Sequence, residues 1–167
     1  MSSDAHKASA PPSARVFVLT VSDTRTDDTD TSGVAICALL KAAGHRIAGK
    51  AIEKDEPLLV AGLVRQQAAL GDVDAIITTG GTGLTSRDST FEAIDALLTK
   101  RLPGFGELFR MLSYQDIGSA AMMSRACAGT IGRVVVISLP GSEKAVRLAM
   151  DKLVIPELAH LVQQATK

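Results

Sequence analysis

The stretch Thr78-Thr79-Gly80-Gly81-Thr82-Gly83-Leu84-Thr85-Ser86-Arg87-Asp88-Ser89-Thr90 gathers residue types that handle phosphate. Glycines let a backbone approach a ligand closely and turn successive N–H groups toward it. Ser89 and Glu92 have the spacing of a capping box, which opens a helix, and a helix N-terminus carries roughly half a positive charge. A glycine-rich loop running into a helix start is therefore a ready anion site. Arg87 offers a bidentate donor. Asp88 has no place in a simple anion cradle; a carboxylate there reads as a metal ligand or as a group that positions a nucleophile. The plainer alternative is a tight strand-to-helix turn whose glycines only solve a backbone problem. Ser86 stands where Gly-x-Gly-x-x-Gly would need its last glycine, and no Gly-Lys-Ser/Thr of a Walker loop follows.

A second turn repeats the pattern. Pro140-Gly141-Ser142-Glu143-Lys144 lies between an apolar run and a helix that Ser142 caps. A cation in a first helical turn is disfavoured by the dipole, so Lys144 either faces solvent or meets an anion held at the turn. Ser22-Asp23 ends the first apolar run, and Asp27, Asp28 and Asp30 follow in a polar loop. Asp23 or Asp30 there either faces a ligand or is solvated, and Asp30 can also cap the next helix. Asp55, before Pro57, is either a helix cap, as Glu56 could be, or another carboxylate at a strand's C-terminal end. Ser124-Arg125 is expected on a short helix within 118–129, with Arg125 at the surface or on an anion.

The elements that must position these residues alternate. Arg15-Val16-Phe17-Val18-Leu19-Thr20-Val21, Asp74-Ala75-Ile76-Ile77 and Arg133-Val134-Val135-Val136-Ile137-Ser138-Leu139 read as buried strands, and 45–53 as a strand nearer an edge. Helices are expected from Asp30 to Ala43, with Gly44 as a C′ residue, from Pro57, from Thr90, and from Ser142 with a kink or restart at Pro156. Leu102-Pro103-Gly104-Phe105-Gly106-Glu107 reads as a structured turn before a helix to about Tyr114, suggested by the spacing of Leu108, Met111 and Leu112. The class is α/β with a mainly parallel sheet. Loops after parallel strands share one edge, where open sheets place their ligands. Cations, amides and carboxylates at that edge suit a phosphorylated ligand with metal-assisted phosphoryl or nucleotidyl chemistry.

Composition bounds the rest. The chain has 167 residues, enough for one domain over 15–167, after a Ser-, Ala- and Pro-rich stretch over 1–14 that reads as a disordered tail with His6 a bystander. Eighteen basic and eighteen acidic residues balance, which argues against nucleic acid as the main partner. No apolar run approaches a membrane span and no signal-peptide core is present, so a cytoplasmic location is expected. Cys37 and Cys127 lack metal-ligand spacing and read as reduced core residues.

Taken together, these motifs resemble the MoaB/MogA family of molybdenum-cofactor biosynthesis proteins, to which the gephyrin G and E domains are related. The resemblance runs from Val16 to Pro156. It rests on Thr78-Thr79-Gly80-Gly81-Thr82-Gly83 with Arg87-Asp88 and Thr90, on Ser22-Asp23, and on Asp30 with Ser32-Gly33. Pro103-Gly104-Phe105-Gly106-Glu107, Ser124-Arg125, Ala128-Gly129 and Leu139-Pro140-Gly141-Ser142 with Lys144-Ala145 complete it. The Gly83-Leu84-Thr85 form of the loop is closest to MoaB. The resemblance implies a three-layer α/β/α sandwich, a trimer or hexamer, and binding of molybdopterin. In active members Mg²⁺ with ATP adenylates the molybdopterin phosphate. It implies that Asp55 and Asp88 serve catalysis and hold the nucleotide's magnesium, and that Gly80, Gly81, Thr82 and Gly83 bind phosphate or nucleotide. Ser22, Asp23, Arg87, Thr90, Gly104, Glu107, Ser124, Arg125, Pro140, Gly141, Ser142 and Lys144 join them as substrate- or nucleotide-binding residues, Ser142 and Lys144 on the pterin side. Asp55, Glu56, Arg87 and Asp88 are all retained, which favours an active adenylyltransferase over a non-catalytic pterin-binding protein of the same pathway. A generic nucleotide-binding scaffold, as in the related domain of CinA proteins, is the third possibility. Other proteins of the pathway are possible partners.

Overall fold

The computed structural model describes Ala8 and residues 10–167. Most of the expected tail, His6 included, lies outside the described residues. In chain order the elements are β1 (Arg15–Val21), α1 (Thr31–Ala42), β2 (Arg46–Glu53), α2 (Pro57–Ala69), β3 (Ala75–Thr79), α3 (Thr90–Leu97) and β4 (Lys100–Arg101). Then come α4 (Pro103–Ile117), a 3-10 turn (Gly118–Met123), β5 (Cys127–Ile131), β6 (Val134–Leu139), α5 (Glu143–Ala149), a π turn (Met150–Val154) and α6 (Ile155–Thr166). Pro156 falls in the first turn of α6, and just before it the Ile155 N–H donates to the Met150 carbonyl, five residues back, in the π turn.

The sheet order is β2-β1-β3-β6-β5-β4. β2, β1, β3 and β6 run parallel, and β5 and β4 complete the sheet in antiparallel pairings. Alternate residues of each strand enter different cores, as the period of two requires. Val16, Val18, Ile77, Val135 and Ile137 pack with Ile36 and Leu40 of α1, Phe109 of α4, Val146 of α5 and Leu158 of α6. Phe17, Leu19, Ile76 and Val136 pack on the opposite face with Val60 and Val64 of α2 and Ile94 of α3. Two apolar layers on two faces of one sheet make the three-layer α/β/α sandwich. Fully burying one such aliphatic side chain contributes about 1.5–3 kcal/mol.

Two segments differ from their sequence reading. The expected turn at Pro103 is instead the first turn of α4, because proline suits that position and needs no N–H there. α4 then buries Gly106, Phe109 and Ser113, leaving Leu108 and Met111 about half exposed. The expected helix over 118–129 is a 3-10 turn followed by β5. Strand β5 has little intrinsic β preference, but β6 satisfies its backbone from Cys127 to Ile131. Gly129 is required there: a Cβ would collide with the Lys100 carbonyl of β4.

Ala14, just ahead of β1, is fully buried, and its N–H donates to Nδ1 of buried His45 at 3.1 Å. Burial pushes the His45 pKa down, and an accepting Nδ1 is the neutral form. Replacing His45 with Leu should strand the Ala14 N–H and cost about 1–3 kcal/mol in denaturant unfolding. A depressed folded pKa means the contribution is full above an unfolded value of about 6.5 and is lost as pH falls through the folded one. Wild type should therefore lose stability relative to the variant over that acid window.

Candidate functional site

The C-terminal ends of β1, β3 and β6 meet at one edge, tied by side chains and backbone. The Gly80 N–H donates to the Leu139 carbonyl at 3.0 Å, and Thr79 Oγ1 donates to the Pro140 carbonyl at 2.8 Å. Ser32 Oγ donates to the Gly141 carbonyl at 2.8 Å. Between these exits lies a crevice of about 200 Å³, lined by Ser22, Arg25, Asp30, Ser32, Gly80 and Gly141 among others. It sits where β1 leads one way to β2 and β3 starts the run the other way, the switch point at which open α/β sheets bind ligands. A roomier cleft of about 640 Å³, around Arg15, Arg65 and Arg133, opens at the opposite strand ends, away from the residues singled out for chemistry.

Asp30 is the crevice's anchor. Its carboxylate caps α1 by accepting the Gly33 N–H at 3.0 Å, accepts the Thr20 hydroxyl at 2.8 Å, and meets Lys50 Nζ at 2.7 Å. Burial pushes its pKa up, but Lys50, the Gly33 N–H and the Thr20 hydroxyl outweigh burial and hold the group below the usual carboxylate range. Lys50 was not among the candidate residues. Its signal is a charge in the middle of strand β2, because such a charge needs a buried partner.

The glycine loop is built by its backbone. Gly80 and Gly81 have φ of 93° and 70°. A Cβ on Gly80 would collide with the Val21 carbonyl, and one on Gly81 would press to 3.0 Å from Thr90 and Val21. The fold thus requires both glycines whatever they bind. The N–H groups of Gly81, Thr82, Gly83 and Leu84 have no protein acceptor among the described residues, so they are free to donate outward. Asp88 closes the loop: Oδ2 accepts both the N–H and the hydroxyl of Thr85, each at 2.7 Å. These bonds, the hydroxyl's first, hold its pKa below the usual range. Gly83 lies so close beneath Asp88 that a Cβ would overlap the carboxylate.

The expected capping box at α3 does not form. Ser89 occupies the N-cap position without a side-chain cap bond, and Glu92 turns instead to Arg125. Arg125 lies in the segment between the 3-10 turn and β5, not on a helix. Its Nε donates to the Thr82 carbonyl at 3.1 Å, its other nitrogens reach Glu92 and the Gly83 carbonyl, and its guanidinium lies 4.9 Å over the Phe91 ring.

A carboxylate group flanks the loop. The Asp55 N–H donates to Asp23 Oδ1 at 3.1 Å, and Asp55 Oδ1 accepts the buried Thr90 hydroxyl at 2.6 Å. Neither Asp55 nor Glu56 caps α2 through its side chain. Arg87 pairs with Asp23 at 2.8 Å and approaches Glu56 at 3.6 Å. Ser142 caps α5 by accepting the Ala145 N–H, and Lys144 pairs with Asp116 at 3.5 Å beside Ser124 in a shallow cleft. Gly104 lies in the first turn of α4, and Glu107 lines a separate cleft of about 250 Å³ with Phe91, Leu102 and Cys127. Burial, then Asp95, raise the Cys127 thiol to about 12, so it is inert as a nucleophile. Among the described residues no cluster of three or more metal-ligating side chains is preformed.

Fold and site define a class: a doubly wound α/β/α domain with a small crevice at the switch point and a glycine loop leaving the same sheet edge, flanked by Asp55 and Asp88. Residues 17–160 match the family described as probable molybdopterin binding domain. The chain is 54% identical to molybdenum cofactor biosynthesis protein B of Bacillus cereus, over 96% of each. A crystal structure of molybdenum cofactor biosynthesis protein B superposes with a TM-score of 0.91 at 52% identity, covering 94% of this chain and 98% of that one. The Pyrococcus furiosus protein described as tungsten cofactor synthesizing protein MoaB gives 0.81 at 36% identity over 95% and 100%. The chain belongs to this molybdopterin-binding domain family, in its MoaB branch, and its place is molybdenum cofactor biosynthesis. No helix among the described residues is long and apolar enough to cross a membrane.

Replacing Asp30 with Ala should cost about 3 kcal/mol of unfolding free energy at neutral pH, since it removes the α1 cap, the acceptor of the buried Thr20 hydroxyl and the partner of Lys50. A depressed folded pKa places this contribution above the unfolded value of about 3.9, and it is lost as pH falls below that. The gap between wild type and variant should narrow in denaturant titrations taken below about pH 4.

Proposed function

We propose that the chain binds molybdopterin at this edge and adenylates its phosphate with Mg-ATP. The observation that carries the reading is the loop itself: successive N–H groups free to donate, between Asp55 and Asp88, each keeping one oxygen without a protein donor among the described residues. Backbone amides at 81–84 bind and orient phosphate oxygens, as nests of N–H groups do. A phosphate oxygen of the pterin attacks the α-phosphorus of ATP. The bond to the bridging oxygen breaks, and pyrophosphate leaves with the electron pair. Placing both phosphates in line is most of the catalytic task. Asp55 and Asp88 fit a magnesium ion that arrives with the nucleotide, because this hard cation takes oxygen ligands and usually one or two carboxylates. Bound there, it would neutralise phosphate charge. Ser142 and Lys144, beside the Pro140-Gly141 exit, take the pterin side.

A second reading, a pterin-binding protein without chemistry, is favoured by one observation: Arg87 already pairs with Asp23, and one oxygen of Asp88 already holds Thr85. Asp55→Asn and Asp88→Asn separate the two. Asn keeps the acceptor toward Thr90 or Thr85 and drops the charge. Adenylation should fall by roughly a hundredfold, about 2.7 kcal/mol, while pterin affinity changes little. Wild-type turnover in both variants would overturn the catalytic assignment, and no turnover in the wild type would favour the binding protein.

The reading includes self-association. Leu108, Met111, Tyr114 and Ile117 of α4 continue into Met122 and Met123 of the 3-10 turn as an exposed apolar strip, and obligate interfaces are largely apolar. Sedimentation equilibrium at micromolar concentration should show a trimer or hexamer that Met111→Glu with Ile117→Glu dissociates; a wild-type monomer would remove this part.

A further inference from the structure

We infer that Arg125 is a positioning residue: it sets the shape of the glycine loop and is not the ligand's cationic contact. The inference rests on the proposed phosphate role of that loop. Every nitrogen of the guanidinium is committed inside the protein. Nε donates to the Thr82 carbonyl at 3.1 Å, one terminal nitrogen to the Gly83 carbonyl, and the other to Glu92 of α3. The flat face covers Phe91 at 4.9 Å, and the side chain is only 19% exposed. Glu92 offsets its charge, so little is left to attract an anion.

The geometry of the peptide unit then does the rest. In a trans peptide the carbonyl and the following N–H point in opposite directions. Drawing the Thr82 and Gly83 carbonyls toward Arg125 turns the N–H groups of Gly83 and Leu84 away from it. Those N–H groups lack a protein acceptor among the described residues, as do those of Gly81 and Thr82. A planar fork reaching two consecutive carbonyls, a carboxylate and a ring is specific to arginine; lysine is a point charge on a flexible stem and cannot hold all four. Arg125 therefore orders the loop before the ligand arrives, which removes an ordering cost from binding.

The test uses the full chain, ATP in excess magnesium as the probe, and two readouts. Titration calorimetry should show Arg125→Ala and Arg125→Lys both weakened by roughly tenfold to a hundredfold. The salt dependence should match the wild type, because no phosphate–cation pair is lost. Glu92→Ala, which removes only the anchor of Arg125, should weaken binding in the same direction. Backbone order parameters measured without ligand should fall at 81–85 in all three variants while the sheet keeps its values. Wild-type affinity in Arg125→Lys, or unchanged loop order in Arg125→Ala, would overturn the inference. Should wild type itself fail to bind ATP, the nucleotide reading fails, and the ligand-free order parameters still decide the role of Arg125.

Discussion

One buried carboxylate ties together the end of the sheet where the crevice opens. Asp30 is 2% exposed and is shared by three elements: the first turn of α1, Thr20 of β1 and Lys50 of β2. A charge that far from water persists only when its lone pairs are filled. The demand extends to Gly33, where any Cβ would collide with the Asp30 carboxylate and the Thr20 hydroxyl. With the helix start fixed, Ser32 is fixed too, and its hydroxyl holds the Gly141 carbonyl. The exit of β6 is thereby tied to the exit of β1, and the Gly80 N–H bond to Leu139 ties in β3. The crevice is rigid because its walls are the scaffold.

The glycine loop shows the opposite economy. Its carbonyls are spoken for by Arg125 and its N–H groups are not. Loops at a surface normally leave both to water. Fixing one set and freeing the other turns a strand-to-helix connection into a directed row of donors. Asp88 contributes by folding back onto Thr85: its N–H donates to the Thr85 carbonyl at 2.9 Å and its carboxylate accepts the Thr85 N–H and hydroxyl, so backbone and side chain together set the curvature.

The strands β1, β3 and β6 were legible because each is an apolar run long enough to be buried on both faces, and α1, α2 and α3 because apolar residues recur at helical spacing behind a start signal. The edge position of β2 was legible from its weaker pattern. Strands β4 and β5 were not. Cys127-Ala128-Gly129-Thr130-Ile131 carries little β preference of its own; pairing with β6 makes it a strand. Pro103-Gly104-Phe105-Gly106 reads as a turn because two glycines each cost a helix about 1 kcal/mol. Packing overrides that cost: Phe105 and Phe109 stack with ring centroids 6.3 Å apart, and Gly106 lets the Ala126 carbonyl approach where a Cβ would sit 2.9 Å from it. Within the site, residue types at the edge were readable and their pairings were not. Ser89 and Glu92 have the spacing of a cap, but Arg125, more than thirty residues away in sequence, offers Glu92 a charged partner, and the distant ion pair displaces the local bond.

Exposure sorts the charged residues into scaffold and reagent. Asp30 is buried with Lys50 against it, and breaking that pair would strand the carboxylate, so Asp30 cannot leave to meet a ligand. Arg87 with Asp23 is different: the side chains are 64% and 37% exposed, and pairs of that kind contribute about 0–1 kcal/mol. Such a pair opens at little cost, which leaves the Arg87 guanidinium available for a bidentate partner. Lys144 and Asp116, also exposed, form a second pair of this kind at the start of α5. Arg125 belongs with the first group, although its sequence context resembles the second. The exposed pairs share no atom with the bonds that hold β1, β3 and β6 together, so they can rearrange without disturbing those bonds.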